Sequence, residues 1–239
     1  MLQPDLHIGV ITALCREARL LGGSRTDLAR VIQLGSKTSL YVSGMGAQQA
    51  DRAASVLLDA GCQALVSFGT AGGLSREQPV GSLVIPDRVM DEQGMTYQVD
   101  VNWRERLAGK LMPGSEPTPQ VLLSVARPVI SAKEKQRLAV VCGACAVDME
   151  SVAIARFAER REIPWLVVRA VSDDCLQTIP AALLSALDVY GEPRWPALLR
   201  ALCRHPGLVR RLPDLVRGVG AAERALAGVV LKAGIRFGA

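Results

Sequence analysis

A chain of 239 residues with 49% hydrophobic content is long enough for one large α/β domain, and at 4% aromatic content its core must be built from Leu, Val, Ile and Ala. The net charge of +5 is uneven: residues 191–239 carry nine Lys/Arg against three Asp/Glu, and residues 1–190 carry nineteen against twenty. A neutral body with a basic tail argues against nucleic acid as a partner, because a nucleic-acid domain carries its charge on its main surface.

The opening "MLQPDLHIGV", with early Pro and Asp and no basic n-region, does not read as a secretory signal. No apolar run is long enough to predict a spanning helix, so the expected compartment is the cytoplasm. "HIGVITAL" (7–14) reads as a strand that breaks into a short helix, "CREARLL". "VIQLGSKTSLYVSGMG" (31–46) reads as two strands about a Gly-Ser turn. In "AQQADRAASVLLDAG" (47–61) the stripe Ala50, Ala53/Ala54, Leu57, Leu58 predicts a helix ended by Gly61. "QALVSFGTAGGL" (63–74) is a buried strand entering a Gly-rich turn, and "GSLVIPDRVM" is another strand. Residues 91–130, polar and punctuated by Pro113, Pro117, Pro119 and Pro128, read as strand and loop. "CAVDME", the helix "SVAIARFAERREI", the strand "PWLVVRAVSDD" and a helical tail follow. Strands alternating with helices predict an α/β domain over 1–190 with a largely parallel sheet, and 191–239 reads as a basic helical appendage.

Six cysteines lie scattered at 15, 62, 142, 145, 175 and 203, a pattern of buried thiols in a reducing compartment. Cys142 and Cys145 have CxxC spacing, but no second pair follows and the only histidines are His7 and His205, so no metal site is expected.

In open α/β sheets, ligands bind beyond the carboxyl ends of the strands. Four such ends stand out here: Glu17 after "IGVITAL", "SGMG" (43–46), "GTAGG" (69–73) and Ser172-Asp173-Asp174. Small-residue turns let backbone N–H groups approach an anion or a sugar hydroxyl. In "AVDMESVAIA" (146–155) two acids begin an apolar helix, where they can complement the helix dipole or hold a polar ligand.

The ordered set "IGVITAL…E", "SGMG", "GTAGGL", "VDMESVAIA" and "VVRAVSD" resembles the nucleoside phosphorylase/nucleosidase superfamily over about residues 7–175, in particular the methylthioadenosine/S-adenosylhomocysteine nucleosidase branch. The resemblance implies a three-layer α/β/α sandwich with a mixed central sheet, a homo-oligomer, and cleavage of the N-glycosidic bond of purine nucleosides without a cofactor. It places Met149 and Glu150 at the ribose, where a carboxylate offers two acceptors to a diol, and leaves Asp148 to cap the helix. Asp173 becomes the acid that protonates the departing purine, oriented by Ser172, and a buried strand end would raise its pKa as that role requires. Asp174 ranks below it. Glu17 matches the water-activating glutamate of the hydrolytic branch, with Thr70, Ala71 and Gly72 supplying backbone contacts. Phosphorolytic relatives use arginines around a phosphate co-substrate; Arg16 and Arg19 flank Glu17, but the arginine that some carry before "SFGT" is missing here. Where nucleosidases of small thionucleosides place an aromatic clamp, this chain has Pro128, Val129 and Ile130.

In the tail, Pro213 suits a helix start, and Leu215, Val219, Ala222, Leu226 and Val229/Val230 then share a face opposite Arg217 and Arg224. Such a helix either packs on its own domain or binds an anionic membrane surface. In "AVDMES", "VVRAVSDD" and overall length the chain resembles the hopanoid-associated nucleoside phosphorylase branch. That implies adenosylhopane, a lipid-linked purine nucleoside, as substrate, and a peripheral place at the inner membrane surface. The competing readings are a methylthioadenosine/S-adenosylhomocysteine nucleosidase, and a non-catalytic nucleoside-binding or membrane-recruitment module.

Overall fold

The computed structural model describes residues 5–114 and 118–239; Pro4 and Pro117 lie outside them. In chain order the elements are β1 (Ile8–Thr12), α1 (Cys15–Leu20), β2 (Val31–Gly35), β3 (Thr38–Val42), α2 (Ala47–Asp59), β4 (Ala64–Gly73), β5 (Leu83–Val84), β6 (Arg88–Met90) and β7 (Thr96–Gln98). Then come α3 (Val101–Leu111), β8 (Val121–Ser124), α4 (Ala132–Cys142), β9 (Ala146–Asp148), α5 (Ser151–Arg160), β10 (Trp165–Asp173), α6 (Ala181–Leu184), α7 (Trp195–Arg204), a 3-10 turn (Pro206–Arg210) and α8 (Leu212–Ala233).

The sheet runs β2-β3-β1-β4-β9-β8-β6-β7, with β10 also paired to β4 and β5 to β10. β3, β1, β4 and β10 are parallel to one another. They are buried over almost every residue because helices cover both faces. The antiparallel pairs β2–β3, β4–β9, β6–β7 and β5–β10 make the sheet mixed, as the family resemblance implied and the strand–helix alternation alone did not. α2 and α5 pack together over one face; α1, α3 and α8 lie together over the other. The result is the expected three-layer sandwich.

Two readings of the middle of the chain need correction. "GSLVIPDRVM" forms two strands, not one, because Pro86 lacks the N–H that a continuous ladder needs. Residues 91–130 contain a full helix, α3: Asp100 Oδ1 accepts the Trp103 N–H at 2.8 Å as its N-cap, and Trp103, Leu107 and Leu111 bury one face. The exposed Asn102, Glu105 and Lys110, together with the inward-lying Arg104 and Arg106, mask that four-residue spacing.

The tail divides differently from its charge. α8 buries Ala222, Leu226 and Val229 in the main core, so the packed-helix reading holds for its apolar stripe; Leu215, Val219 and Val230 are half-buried, and Arg217 and Arg224 are exposed. The charge boundary at residue 190 is therefore not a packing boundary. α8 also abuts the end of β10: a Cβ at Gly218 would lie 2.3 Å from the Ser172 carbonyl oxygen, so glycine alone permits this approach. α7 buries none of its residues, and Trp195 and Leu199, one turn apart, are 65% and 58% exposed. Among the described residues, no helix is long and apolar enough to cross a membrane.

Candidate active site

The carboxyl ends of β1, β4 and β10 and the start of α5 enclose a cavity of about 160 Å³. All eight site residues expected from the sequence line it: Glu17, Thr70, Ala71, Gly72, Met149, Glu150, Ser172 and Asp173.

Glu17 stands in the first turn of α1, where its Oε2 accepts the Leu14 N–H at 3.0 Å. Its Oε1 reaches across to β4 and accepts the Thr70 N–H at 2.8 Å and the Thr70 hydroxyl at 3.0 Å. Glu17 is only 2% exposed, so it is not an ordinary solvated helix acid. Burial pushes its pKa up, against the pull of Arg169 and of these hydrogen bonds. Gly69 leaves room for it, since a Cβ there would stand 2.7 Å from Glu17 Oε1.

Glu150 is fixed from two sides. Its Oε1 accepts the Gly46 N–H of the "SGMG" turn at 2.7 Å, and its Oε2 accepts the Met149 N–H at 3.3 Å. Burial, followed by the neighbouring Asp148 charge, raises its pKa to about 7, while Arg169 pulls it down. A carboxylate accepts from two hydroxyls, but its protonated form has an acceptor site replaced by a donor. Binding of a ribose diol here is therefore expected to weaken as pH falls through about 7. A pH profile of kcat/KM should show this acidic limb, and Glu150→Gln should remove it.

Asp148 does more than cap. Its Oδ1 accepts the Ser151 N–H at 3.3 Å at the start of α5, and its Oδ2 takes Nε and Nη2 of Arg169 at 2.9 and 2.8 Å. Arg169 Nη2 also donates to the Ser67 hydroxyl at 2.7 Å and the Ser151 hydroxyl at 3.1 Å. This arginine, which the sequence reading passed over, ties β10 to β4, β9 and α5 beneath the cavity. Its one signal was a lone cation inside the apolar run "LVVRAV". Removing one partner of a buried pair leaves the other charge uncompensated, so Asp148→Ala should cost about 3–5 kcal/mol in a denaturant melt.

At the end of β10 the pairing with β4 shifts register between Val171 and Asp173, leaving Ser172 as the extra residue of a bulge. Ser172 Oγ donates to Asp173 Oδ1 at 2.8 Å and lies 3.3 Å from the Ala71 carbonyl, so it holds one carboxyl oxygen of Asp173 in place. The other carboxyl oxygen, Oδ2, is ion-paired with Lys135 of α4. Lys135 was also missed. It is legible in hindsight, because Lys135, Leu138, Ala139 and Cys142 share one helical face and the three apolar members pack inward. Asp174 stays outside the cavity, its Oδ1 accepting the Leu176 N–H at 2.9 Å.

Arg16 and Arg19 turn away from the cavity, toward Glu223 and Glu192 respectively. Pro128 and Val129 line the cavity and, among the described residues, no aromatic side chain does, while Ile130 belongs to an adjoining cavity of about 390 Å³ that shares Val125, Pro128 and Val129. Cys142 and Cys145 are free thiols, and burial raises the Cys145 pKa to about 11, which leaves it unreactive near neutrality. Among the described residues, no cluster of three His, Cys, Asp or Glu is arranged to hold a metal.

Three buried carboxyl groups, Glu17, Glu150 and Asp173, thus meet in one cavity at the carboxyl ends of the parallel strands. The family model of the phosphorylase superfamily matches residues 14–189. The 5'-methylthioadenosine/S-adenosylhomocysteine nucleosidases of Mycobacterium bovis and Mycobacterium tuberculosis are each 29% identical, over 70% of this chain and 85% of their own length. The Aeromonas salmonicida nucleosidase is 26% identical. The Neisseria meningitidis nucleosidase in complex with methylthio-immucillin-A shares the fold at a TM-score of 0.66 and 20% identity, covering 94% of this chain and 96% of that one. Futalosine hydrolase of Helicobacter pylori shares it at a TM-score of 0.64 and 16% identity, covering 95% and 97%. The chain belongs to the phosphorylase superfamily, and within it is a nucleosidase-like enzyme of purine N-glycosidic bond cleavage.

Proposed function

We propose that this enzyme hydrolyses a purine nucleoside carrying a large apolar 5′ substituent, adenosylhopane, and releases adenine, using water and not phosphate as nucleophile. The observation that carries the choice of water is electrostatic. The cavity is lined by four carboxyl groups, Glu17, Asp148, Glu150 and Asp173, and among the described residues by no Lys, Arg or His. A phosphate dianion would enter a field of its own sign, with the buried Arg169 and Lys135 already committed to Asp148 and Asp173. Water meets no such repulsion. A side chamber of about 10 Å³ lies against Glu17, Ser67, Thr70, Glu150 and Arg169, the scale of a single water.

In this reading Asp173 delivers a proton to purine N7 as the C1′–N9 bond breaks and its electron pair stays on the base. Glu150 holds the ribose hydroxyls beside Met149. Glu17 takes a proton from water as the water oxygen bonds to C1′, and Thr70 fixes the Glu17 carboxyl by its N–H and hydroxyl. Support for the lipid-linked substrate comes from the "AVDMES" and "VVRAVSDD" resemblance, from Pro128 and Val129 in place of an aromatic clamp, and from the tail. Arg200, Arg204, Arg210 and Arg211 are exposed in the same segment of chain as the exposed Trp195 and Leu199, a composition suited to an anionic membrane surface. A homo-oligomer at that surface completes the proposal.

The second reading, 5'-methylthioadenosine or S-adenosylhomocysteine as substrate, is favoured by the names of the relatives. Incubating the protein with each nucleoside, with and without phosphate, separates the readings. Free sugar and adenine from adenosylhopane in phosphate-free buffer is the expected result. Selective cleavage of the thionucleosides overturns the substrate, and a sugar 1-phosphate product overturns the nucleophile. Replacing Arg200, Arg204, Arg210 and Arg211 by Gln should weaken sedimentation with anionic liposomes while sparing activity on a soluble adenosine analogue. Unchanged sedimentation removes the membrane from the proposal.

A further inference from the structure

Lys135 is the most deeply placed cation of the molecule's active end. Its side chain is 0% exposed, and its ammonium makes three contacts: Asp173 Oδ2, the Asp174 carbonyl at 2.8 Å and the Gln177 carbonyl at 3.0 Å. An ammonium has three N–H donors, so every one is spent on the strand end and loop that carry the acid. A buried lysine is costly to desolvate, and an apolar residue of similar length would fill the same volume without that cost. The two carbonyls alone do not require a charge. The partner that does is Asp173, whose remaining oxygen accepts from Ser172.

We propose that Lys135 is a positioning residue for catalysis, acting only through Asp173; the inference rests on the nucleoside-cleaving reading above. In the reactive form Asp173 holds a proton taken up from solvent through the cavity; when the C1′–N9 bond breaks, its electron pair stays on the purine, that proton passes from Asp173 to N7, and Asp173 returns to the carboxylate that is ion-paired with Lys135 in the structure. The Lys135 ammonium lies against that carboxylate, so it stabilises the charge that appears on Asp173 as the proton leaves. The proton is restored to Asp173 from solvent after the base departs. Lys135 also fixes the carboxyl plane from the side opposite Ser172, which points the proton at one atom of the base.

The test compares Lys135→Met and Lys135→Gln with the parent enzyme on two nucleosides. One is an ordinary adenosine-type substrate, whose base must be protonated to leave. The other is its N7-methylated counterpart, whose base already carries the positive charge and leaves without a proton. Both variants should lose about a hundredfold or more in kcat on the first, the range of a lost general acid, with little change in KM. They should lose only a fewfold on the second. Lys135→Gln keeps donors for the Asp174 and Gln177 carbonyls, and gives the same reading if Lys135→Met does not fold. In an Asp173→Asn background, Lys135→Met should add no further loss in kcat, because a residue that acts through another has nothing left to act on. Equal loss on both nucleosides, no loss on either, or full additivity with Asp173→Asn overturns the inference. A parent enzyme that cleaves no purine nucleoside overturns the functional reading instead, so the two failures are distinguishable.

Discussion

Asp173→Asn is expected to lower turnover of a purine nucleoside by about a hundredfold or more, because the amide can donate a hydrogen bond to N7 but cannot give up a proton. Ser172 keeps an acceptor in the amide oxygen, so the bulge at the end of β10 should persist. Lys135 loses its counter-charge, and removal of one member of a buried pair typically costs about 3–5 kcal/mol. Rates should therefore be taken at a temperature where a melt shows the variant fully folded. Adenine release in a single turnover is the direct measurement. Near-parental release from folded Asp173→Asn protein would remove Asp173 from the chemistry.

Glu17→Gln should eliminate hydrolysis more completely than it perturbs the fold. The substitution is isosteric, and its amide oxygen can still accept from Thr70. At the Oε2 position the amide N–H₂ would face the Leu14 N–H, donor against donor, with a penalty of about 1–3 kcal/mol. A neutral amide cannot take the proton of an attacking water, and loss of a positioned base lowers rates by about a hundredfold to ten-thousandfold. Binding of a non-hydrolysable nucleoside should remain, since the proposed function assigns the sugar to Glu150. Hydrolysis at parental rates would mean that the water is activated elsewhere.

The residues that line this cavity were legible in the sequence because they sit on punctuation. Glu17, "GTAGG", "VDMES" and Ser172-Asp173 each follow a strand at a turn, where polar residues stand out against apolar runs. What escaped notice was polar but interior. Arg169 lies within β10 and Lys135 within α4, each inside a regular element whose pattern absorbs one odd residue. Their roles exist only across the fold, between residues 21 and 38 positions apart in sequence, and no local period encodes such a pairing. α3 was hidden for the opposite reason, since its exposed face is so polar that its buried face has few letters to show. The tail was half legible: its amphipathic period was correct, but a period does not say whether the apolar side meets protein or lipid.

The close approach of Gly218 to the Ser172 carbonyl bears on how the tail can be re-engineered. α8 is a buttress behind the strand end that carries Asp173, and any residue larger than glycine at that point must push the helix out or the strand end in. A graft that exchanged the whole tail would thus disturb the strand end that carries Asp173 as a side effect. α7, which buries nothing, carries no such obligation. It is the module to exchange, shorten or recharge when the aim is to move this enzyme between surfaces while its chemistry stays put.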